Sequence, residues 1–431
     1  MRPADEKMAT SIEGGARTAA ALTPAAPSET APQAAREICG WLLSAGKTMP
    51  RVGNLLDGLR SRMLAADVPI SRMMISIRTL HPQILTTGYR WRRGMAHAEQ
   101  VHQGHDILDS RKYLTSPLKV IHDGAPRVRR RLEGPDAVVD FPILVELRES
   151  GATDYVILPL PFSDGHIHII SFASDRPGGF SEANMALIEA VLPPLAAILE
   201  IHATRRIAAT LLDTYLGPKT GARVLSGQIT RGSGETIQAV VWYSDLRGFT
   251  RMSDRLPQDR VIAVLNDYFE CLIGAIEAGG GEVLKLIGDA VLAIFPTEDA
   301  AFRYVVCHRA LDTARKARLC MAALNRQRQA AGEPVLRYGT ALHLGKVIYG
   351  NIGAPNRLDF TVIGPAVNHV TRIEELCKTT GHDLLVSRDV AASCERPLVS
   401  LGRHRLRGVA ERHEIFTLPA ESDGDHDHDD V

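Results

Sequence analysis

Two apolar runs, Val283-Leu284-Lys285-Leu286-Ile287 and Ala290-Val291-Leu292-Ala293-Ile294-Phe295, meet at Gly288-Asp289. Short apolar runs joined by a glycine and an aspartate read as a β-hairpin with the acid in its turn. Upstream, the hydrophobic stretch Val241-Trp242-Tyr243-Ser244 runs into Asp245 and a glycine-containing loop, Leu246-Arg247-Gly248-Phe249-Thr250. One carboxylate at a strand end and another at an adjacent hairpin tip can converge on a pair of divalent cations. That arrangement suits in-line displacement on a nucleoside triphosphate, where cations offset charge on the attacking and leaving oxygens together.

The 431 residues allow two or three domains, each with its own core. Lysines plus arginines equal aspartates plus glutamates at 50 each, so no global field draws the chain to nucleic acid or an acidic membrane surface. Six cysteines (Cys39, Cys271, Cys307, Cys320, Cys377 and Cys394) are scattered without a CxxC pair. They read as buried thiols in a reducing compartment, neither disulfides nor a zinc site. The longest apolar run, 190–201, contains Pro193-Pro194 and Glu200, so no integral membrane segment is expected. With a start too charged for a signal peptide, these features predict a cytoplasmic protein.

Residues 1–35, rich in Ala, Pro, Ser and Thr, read as a disordered leader, and 419–431 as an acidic disordered tail. Between them, apolar spacing predicts two helices in 36–64, then strands over 72–78, 154–160 and 166–172, the last two joined by Asp164-Gly165. Ser181 caps a further helix running through Val191. This order resembles a GAF-type sensory domain over 36–194, which implies an unidentified small-molecule or protein signal. The linker 195–234 is helical until Gly217-Pro218; it is either an ordinary amphipathic helix or a short parallel coiled coil. Arg127, Arg129, Arg130 and Arg131 lack interleaved aromatics and read as a salt-bridged face, not a nucleic-acid site. From about 236 the order is strand (239–244), helix (258–278), hairpin (282–295), helix (299–329) and strand (336–344). A further short strand at 347–349 precedes a helix at 366–379. The fold class is therefore α+β, with a ferredoxin-like βαββαβ plan in the C-terminal half.

Four separated blocks within 235–418 together resemble the catalytic domain of the class III adenylate/guanylate cyclases. The first, Asp245 to Thr250, implies a metal carboxylate at Asp245 and backbone amides of Leu246, Arg247, Gly248, Phe249 and Thr250 around the β- and γ-phosphates. In the second, Lys285-Leu-Ile-Gly-Asp289, the resemblance implies Asp289 as second metal ligand and Lys285 as donor to the purine ring. A lysine in an apolar strand must in any case reach a partner, because an unpaired buried ammonium is costly. The third, Arg357 to Arg372, implies Thr361 as acceptor from the base, Asn368 orienting the ribose and Arg372 stabilising the transition state. Asn368 and Arg372 lie four apart, on one helix face. The fourth, Gly402 to Gly408, implies a triphosphate-binding base, either Arg407 or Arg357.

The resemblance implies a homodimer in which one subunit supplies the carboxylates and the other supplies Lys285, Thr361, Asn368 and Arg372. It also implies two Mg²⁺ or Mn²⁺ per site. ATP is favoured as substrate, because guanylyl-specific members carry Glu at the Lys285 position and typically Cys at the Thr361 position. The products would be 3′,5′-cyclic AMP and pyrophosphate. A guanylyl or mixed-specificity cyclase and a catalytically silent nucleotide-binding regulator are the rival readings.

Overall fold

The computed structural model describes residues 33–297, 299–409 and 411–419. The leader up to residue 32 and the tail from 420 lie outside the described residues. The remaining leader residues begin a helix, Gln33–Leu43, with Ala35 already buried. The chain divides into two compact units between Leu211 and Leu212.

The first unit is built on an antiparallel sheet of β1 (Arg72–Arg78), β2 (Thr86–Arg92), β3 (Glu99–Gln103), β4 (Val128–Arg131), β5 (Asp154–Pro161) and β6 (Ile167–Ser174), in the order β3-β2-β1-β6-β5-β4. Alternation sorts side chains onto two faces. Met73, Ile75 and Ile77 of β1, with Val156, Leu158 and Leu160 of β5, pack under Leu55, Leu59, Met185, Ile188 and Leu199 from two helices, Val52–Ala65 and Glu182–Leu216. Tyr155 and Ile157 turn the other way, toward Ile121, Leu144 and Leu147. The β5–β6 turn uses Gly165 at φ +79°, a left-handed position that favours glycine. Ser181 does cap the next helix, its hydroxyl accepting from the Asn184 amide at 3.1 Å. The arginine cluster is salt-bridged: Arg127 pairs with Glu189, Arg129 with Asp154, and Arg130 with Asp140.

Two sequence expectations are corrected here. Pro193 and Pro194 do not interrupt the helix, which runs unbroken over Glu182–Leu216. The lost amide donors are outweighed by burial of Val191, Leu195, Ala196, Ile198 and Leu199 around them. By length and composition this is the one described helix long and apolar enough to cross a membrane, although many of its apolar side chains pack in the unit's own core. The second correction concerns cysteine. Helices Gln258–Ala278 and Arg303–Ala330 bring Cys271 and Cys320 into a disulfide, Cα atoms 5.6 Å apart across 49 residues of sequence. Spacing alone hides such a pair, because it depends on which faces two distant helices turn to each other.

The second unit has β7 (Gly234–Leu246), β8 (Glu282–Ile287), β9 (Ala290–Thr297), β10 (Tyr338–Ala354), β11 (Arg357–Ile363), β12 (Leu384–Ser387), β13 (Val399–Arg405) and β14 (Arg412–Thr417). The central order β10-β7-β9-β8 is antiparallel throughout, with the long helix Gln258–Ala278 between β7 and β8 and the long helix Arg303–Ala330 between β9 and β10. That is the split βαβ arrangement. Val240 and Trp242 of β7 face the helices Gln258–Ala278 and Arg303–Ala330, whereas Ala239 and Val241 face the helix Pro365–Thr380. The expected strands 336–344 and 347–349 are one long strand, because Gly345 and Lys346 keep their pairing to β7. Gly217, at φ +83°, ends the long helix, and Pro218 starts the next one, Pro218–Leu225. Thr220 on that short helix donates to buried Glu282 at 2.8 Å, and Tyr349 donates to the same oxygen at 2.7 Å.

His343 on β10 is 6 % exposed and its Nδ1 has no hydrogen-bond partner. Burial, then His369, pushes its pKa down to about 4, with Asp389 opposing and His413 adding to the depression. The unfolded chain, titrating at about 6.5, binds the proton more readily. Stability is therefore full above about pH 6.5 and falls as pH drops toward 4. Urea unfolding of the C-terminal unit is expected to lose about 2 kcal/mol from this group between pH 7.5 and 5. His343→Gln should lose correspondingly less over that interval. Equal losses in both proteins would refute this origin.

Candidate active site

Asp245 is the last residue but one of β7, and the β8–β9 turn holds Asp289 beside it; neighbouring register pairs Ser244 with Val291. Glycine at 288, φ +64°, makes that turn. The Asp289 carboxylate lies close enough to Asp245 to disfavour its charge. Burial first, then the charge of Asp289, pushes the Asp245 carboxyl up to about 6. The opposing cation is Lys378, its Nζ 3.8 Å from Asp245 Oδ2. Glu374, one helical turn before Lys378, is 2 % exposed, and burial followed by Asp245 pushes it up to about 7. A half-buried acid pair with so little positive charge around it fits hard divalent cations such as Mg²⁺ or Mn²⁺. Among the described residues no cluster of three or more ligating side chains exists. Backbone carbonyls, water or substrate oxygens would complete the coordination, as Mg²⁺ commonly accepts.

The loop after Asp245 corrects one expectation. The Leu246 side chain is buried in the core. The Arg247 amide already donates to the Arg337 carbonyl at 2.8 Å, and its guanidinium donates to the His382 carbonyl at 2.6 Å. Leu246 and Arg247 therefore brace the loop. Gly248, at φ +76°, precedes the short helix Phe249–Ser253, so the amides of Gly248, Phe249 and Thr250 lie at a helix N-terminus, facing where phosphate oxygens can be received.

Lys285 reaches across from β8 to β11, where its Nζ donates to Asp359 Oδ2 at 2.6 Å. Asp359 and Thr361 are two apart on β11 and share one face of the strand. Sequence reasoning named Lys285 and Thr361 but missed Asp359. The demand that a lysine in an apolar strand find a partner, and the two-residue spacing to Thr361, were its available signals. Arg357 sits at the tip of the β10–β11 hairpin, paired with Ala354. Arg372 lies against the β13–β14 turn that carries Arg407: a Cβ placed on Gly408 would stand 2.9 Å from its Nη1. Gly408, the residue after Arg407, therefore lies beside Arg372.

The helix Pro365–Thr380 carries Asn368, Arg372, Glu374 and Lys378 in turn. Lys378 touches the acid pair, whereas Asn368 is ten residues earlier, about 15 Å along the axis at 1.5 Å per residue. Asn368 is exposed, and so are Leu286, Ile287, Ile348 and Ile363, each between 45 % and 49 % exposed. One chain thus presents its carboxylates and its Asn–Arg pair at separate places.

Residues 233–418 match the family described as the adenylate and guanylate cyclase catalytic domain. This segment is similar to the catalytic domain of the class III cyclases. An adenylate cyclase of Anabaena cylindrica is 34 % identical to the chain over 169 residues, covering 38 % of this chain and 32 % of that protein. Adenylate cyclase 1 of Rhizobium meliloti is 29 % identical over 188 residues, 42 % of this chain and 27 % of its own. The chain thus spans about a third of the length of these curated relatives. A solved bacterial light-regulated adenylyl cyclase aligns over 52 % of this chain and 64 % of that one, at 27 % identity and a TM-score of 0.43. The family match, 233–418, lies within the second unit.

Proposed function

We propose that the chain is an adenylyl cyclase that converts ATP to 3′,5′-cyclic AMP and pyrophosphate. It acts as a cytoplasmic homodimer with two shared sites, under control of a GAF-like N-terminal domain. The observation that carries this reading is the separation just described. The acid pair sits at the Lys378 end of the helix Pro365–Thr380, and Asn368 at the other. A second copy placed head to tail would bring its Asn368 and Arg372 over the first copy's Asp245 and Asp289, with exposed Leu286, Ile287, Ile348 and Ile363 available to the contact.

Asp245 and Asp289 would hold two Mg²⁺ or Mn²⁺, which would lower the pKa of the ribose 3′-hydroxyl and offset charge on the triphosphate. Amides of Gly248, Phe249 and Thr250 and the Arg407 guanidinium receive phosphate oxygens. The partner's copy of Asn368 orients the ribose, so that the 3′-oxygen lies in line with the α-phosphorus and the departing pyrophosphate. Arg372, permanently charged and planar, meets the charge that builds on the equatorial phosphoryl oxygens. Lys285 donates to an acceptor on the purine ring, and Thr361 accepts from the adenine amino group. Because a hydroxyl both donates and accepts, discrimination against GTP is softer than a carboxylate at that position would give.

Asp359 holds the Lys285 ammonium in place before substrate arrives. Asp359→Asn is expected to lower kcat/KM for ATP about tenfold and to narrow the preference over GTP, read by parallel steady-state assays. An unchanged ratio would remove Asp359 from base reading. The reading as a whole is tested with purified full-length protein, Mn²⁺, and ATP or GTP. Cyclic AMP is expected as the main product. Cyclic GMP alone, or no product with either nucleotide, would overturn it.

A further inference from the structure

The first unit contains a cavity of ≈ 530 Å³ between the outer face of its sheet and the segments 107–118 and 142–146. Its floor is made by alternate residues of β1 (Arg72, Met74, Ser76) and β2 (Thr86, Gly88, Arg90), the set left over when Met73, Ile75 and Ile77 turn into the helical core. A volume of this size suits a small organic molecule.

The lining is unbalanced in charge. Four cations, Arg72, Arg90, Arg111 and Lys112, face one acid, Glu146. Arg90 is held by Glu99. Among the described residues, Arg72, Arg111 and Lys112 have no carboxylate within ion-pair distance. Arg72 is the telling member, because it lies on a central strand and is half-buried. Burial, then Arg90 and Arg92, disfavours its charge, and Tyr155 and Glu146 offset only part of this. An arginine does not neutralise itself under such conditions. A half-buried guanidinium without a counter-charge is costly, and an anion from solution would remove the cost. Beside these cations stand apolar groups, Met74, Ile107, Leu118 and Ile143.

We propose that this cavity binds a small amphipathic organic anion, its acidic head on Arg72 and its apolar body against Met74, Ile107, Leu118 and Ile143. The site concerns the N-terminal unit alone and holds whether or not the C-terminal unit turns over ATP.

Two fluorescent probes with the same aromatic body test it: 8-anilino-1-naphthalenesulfonate, which is anionic, and N-phenyl-1-naphthylamine, which lacks the sulfonate. Titrated into full-length protein, the anion is expected to saturate at one site per chain and to bind at least about tenfold tighter than the neutral probe, the size of one charge-assisted contact. Arg72→Met should erase that preference by weakening the anion alone, and Arg72→Lys should restore part of it. Gly88→Leu provides an arm that leaves the arginine in place. A Cβ there meets only the Ile75 and Val101 carbonyls at 3.6 Å, an ordinary contact, so the larger side chain occupies the cavity. Both probes should then be lost, with the circular-dichroism melt unchanged. Equal affinity for the two probes, anion binding that survives in Arg72→Met, or binding that survives in Gly88→Leu would each overturn the proposal. Should Arg72→Met fail to fold, the Gly88→Leu result decides.

Discussion

Asp245→Asn is expected to abolish turnover by at least about 10³-fold, the cost of losing one electrostatic contact to the transition state, while raising the melting temperature of the metal-free protein. Both effects come from one carboxylate. In the metal-free protein Asp245 is half-buried beside Asp289 with Lys378 as the nearby cation, and its carboxyl is pushed up to about 6. At pH 8 the Asp245 carboxyl is ionised although burial and neighbouring Asp289 disfavour its charge, so the neutral isostere removes a penalty that the fold otherwise tolerates. Each kcal/mol recovered raises the melting temperature of a domain this size by about 2–4 °C. The same substitution removes the donor set that a divalent cation needs. Added Mn²⁺ should stabilise the wild type by mass action and leave the variant's melting temperature unmoved. Thermal melts with and without Mn²⁺ separate these effects from activity. A variant that still gains stability from Mn²⁺ would show that Asp245 is not a metal ligand.

Arg372→Ala is expected to lower kcat by about 10³-fold or more, with KM for ATP little changed, as for other arginines that meet charge only in a phosphoryl transition state. Arg372 is partly exposed and packs against the Gly408 turn, so its removal leaves the core intact and should move the melting temperature little. Asn368→Ala should cost less, about 10²-fold, because it loses orientation and no full charge. Steady-state kinetics with ATP read both. If KM rises and kcat holds, Arg372 binds the ground state, and its assignment to the transition state is wrong.

How far the sequence could be read depended on whether a feature was local. The helix Gln258–Ala278 and the hairpin around Gly288 were legible because period and turn chemistry both lie within a few residues. The edge strand β3 and the short β4 escaped because Glu99-Gln100 and Arg129-Arg130-Arg131 hide their alternation under charge. β10 read as two strands because Gly345 breaks the apolar pattern without breaking the ladder. Pro193-Pro194 read as a stop because local propensity says so, and burial of the surrounding face overrides it. At the site, residue identities were visible while partners were not. Asp359, Glu374 and Lys378 carry no motif of their own, and their importance appears only when β11 and the helix Pro365–Thr380 are brought beside Lys285 and Asp245. The Cys271–Cys320 bond belongs to the same class, being a product of two helices packed face to face.

The shared site is tested most directly by mixing two inactive homodimers, Asp245→Ala and Arg372→Ala, after subunit exchange at equal concentrations. Random pairing puts half the chains in heterodimers, each with one intact site and one doubly damaged one, so about a quarter of the wild-type cyclic AMP rate should return. A rate no greater than the sum of the two parents, with heterodimers shown to have formed, would contradict a site built from two chains.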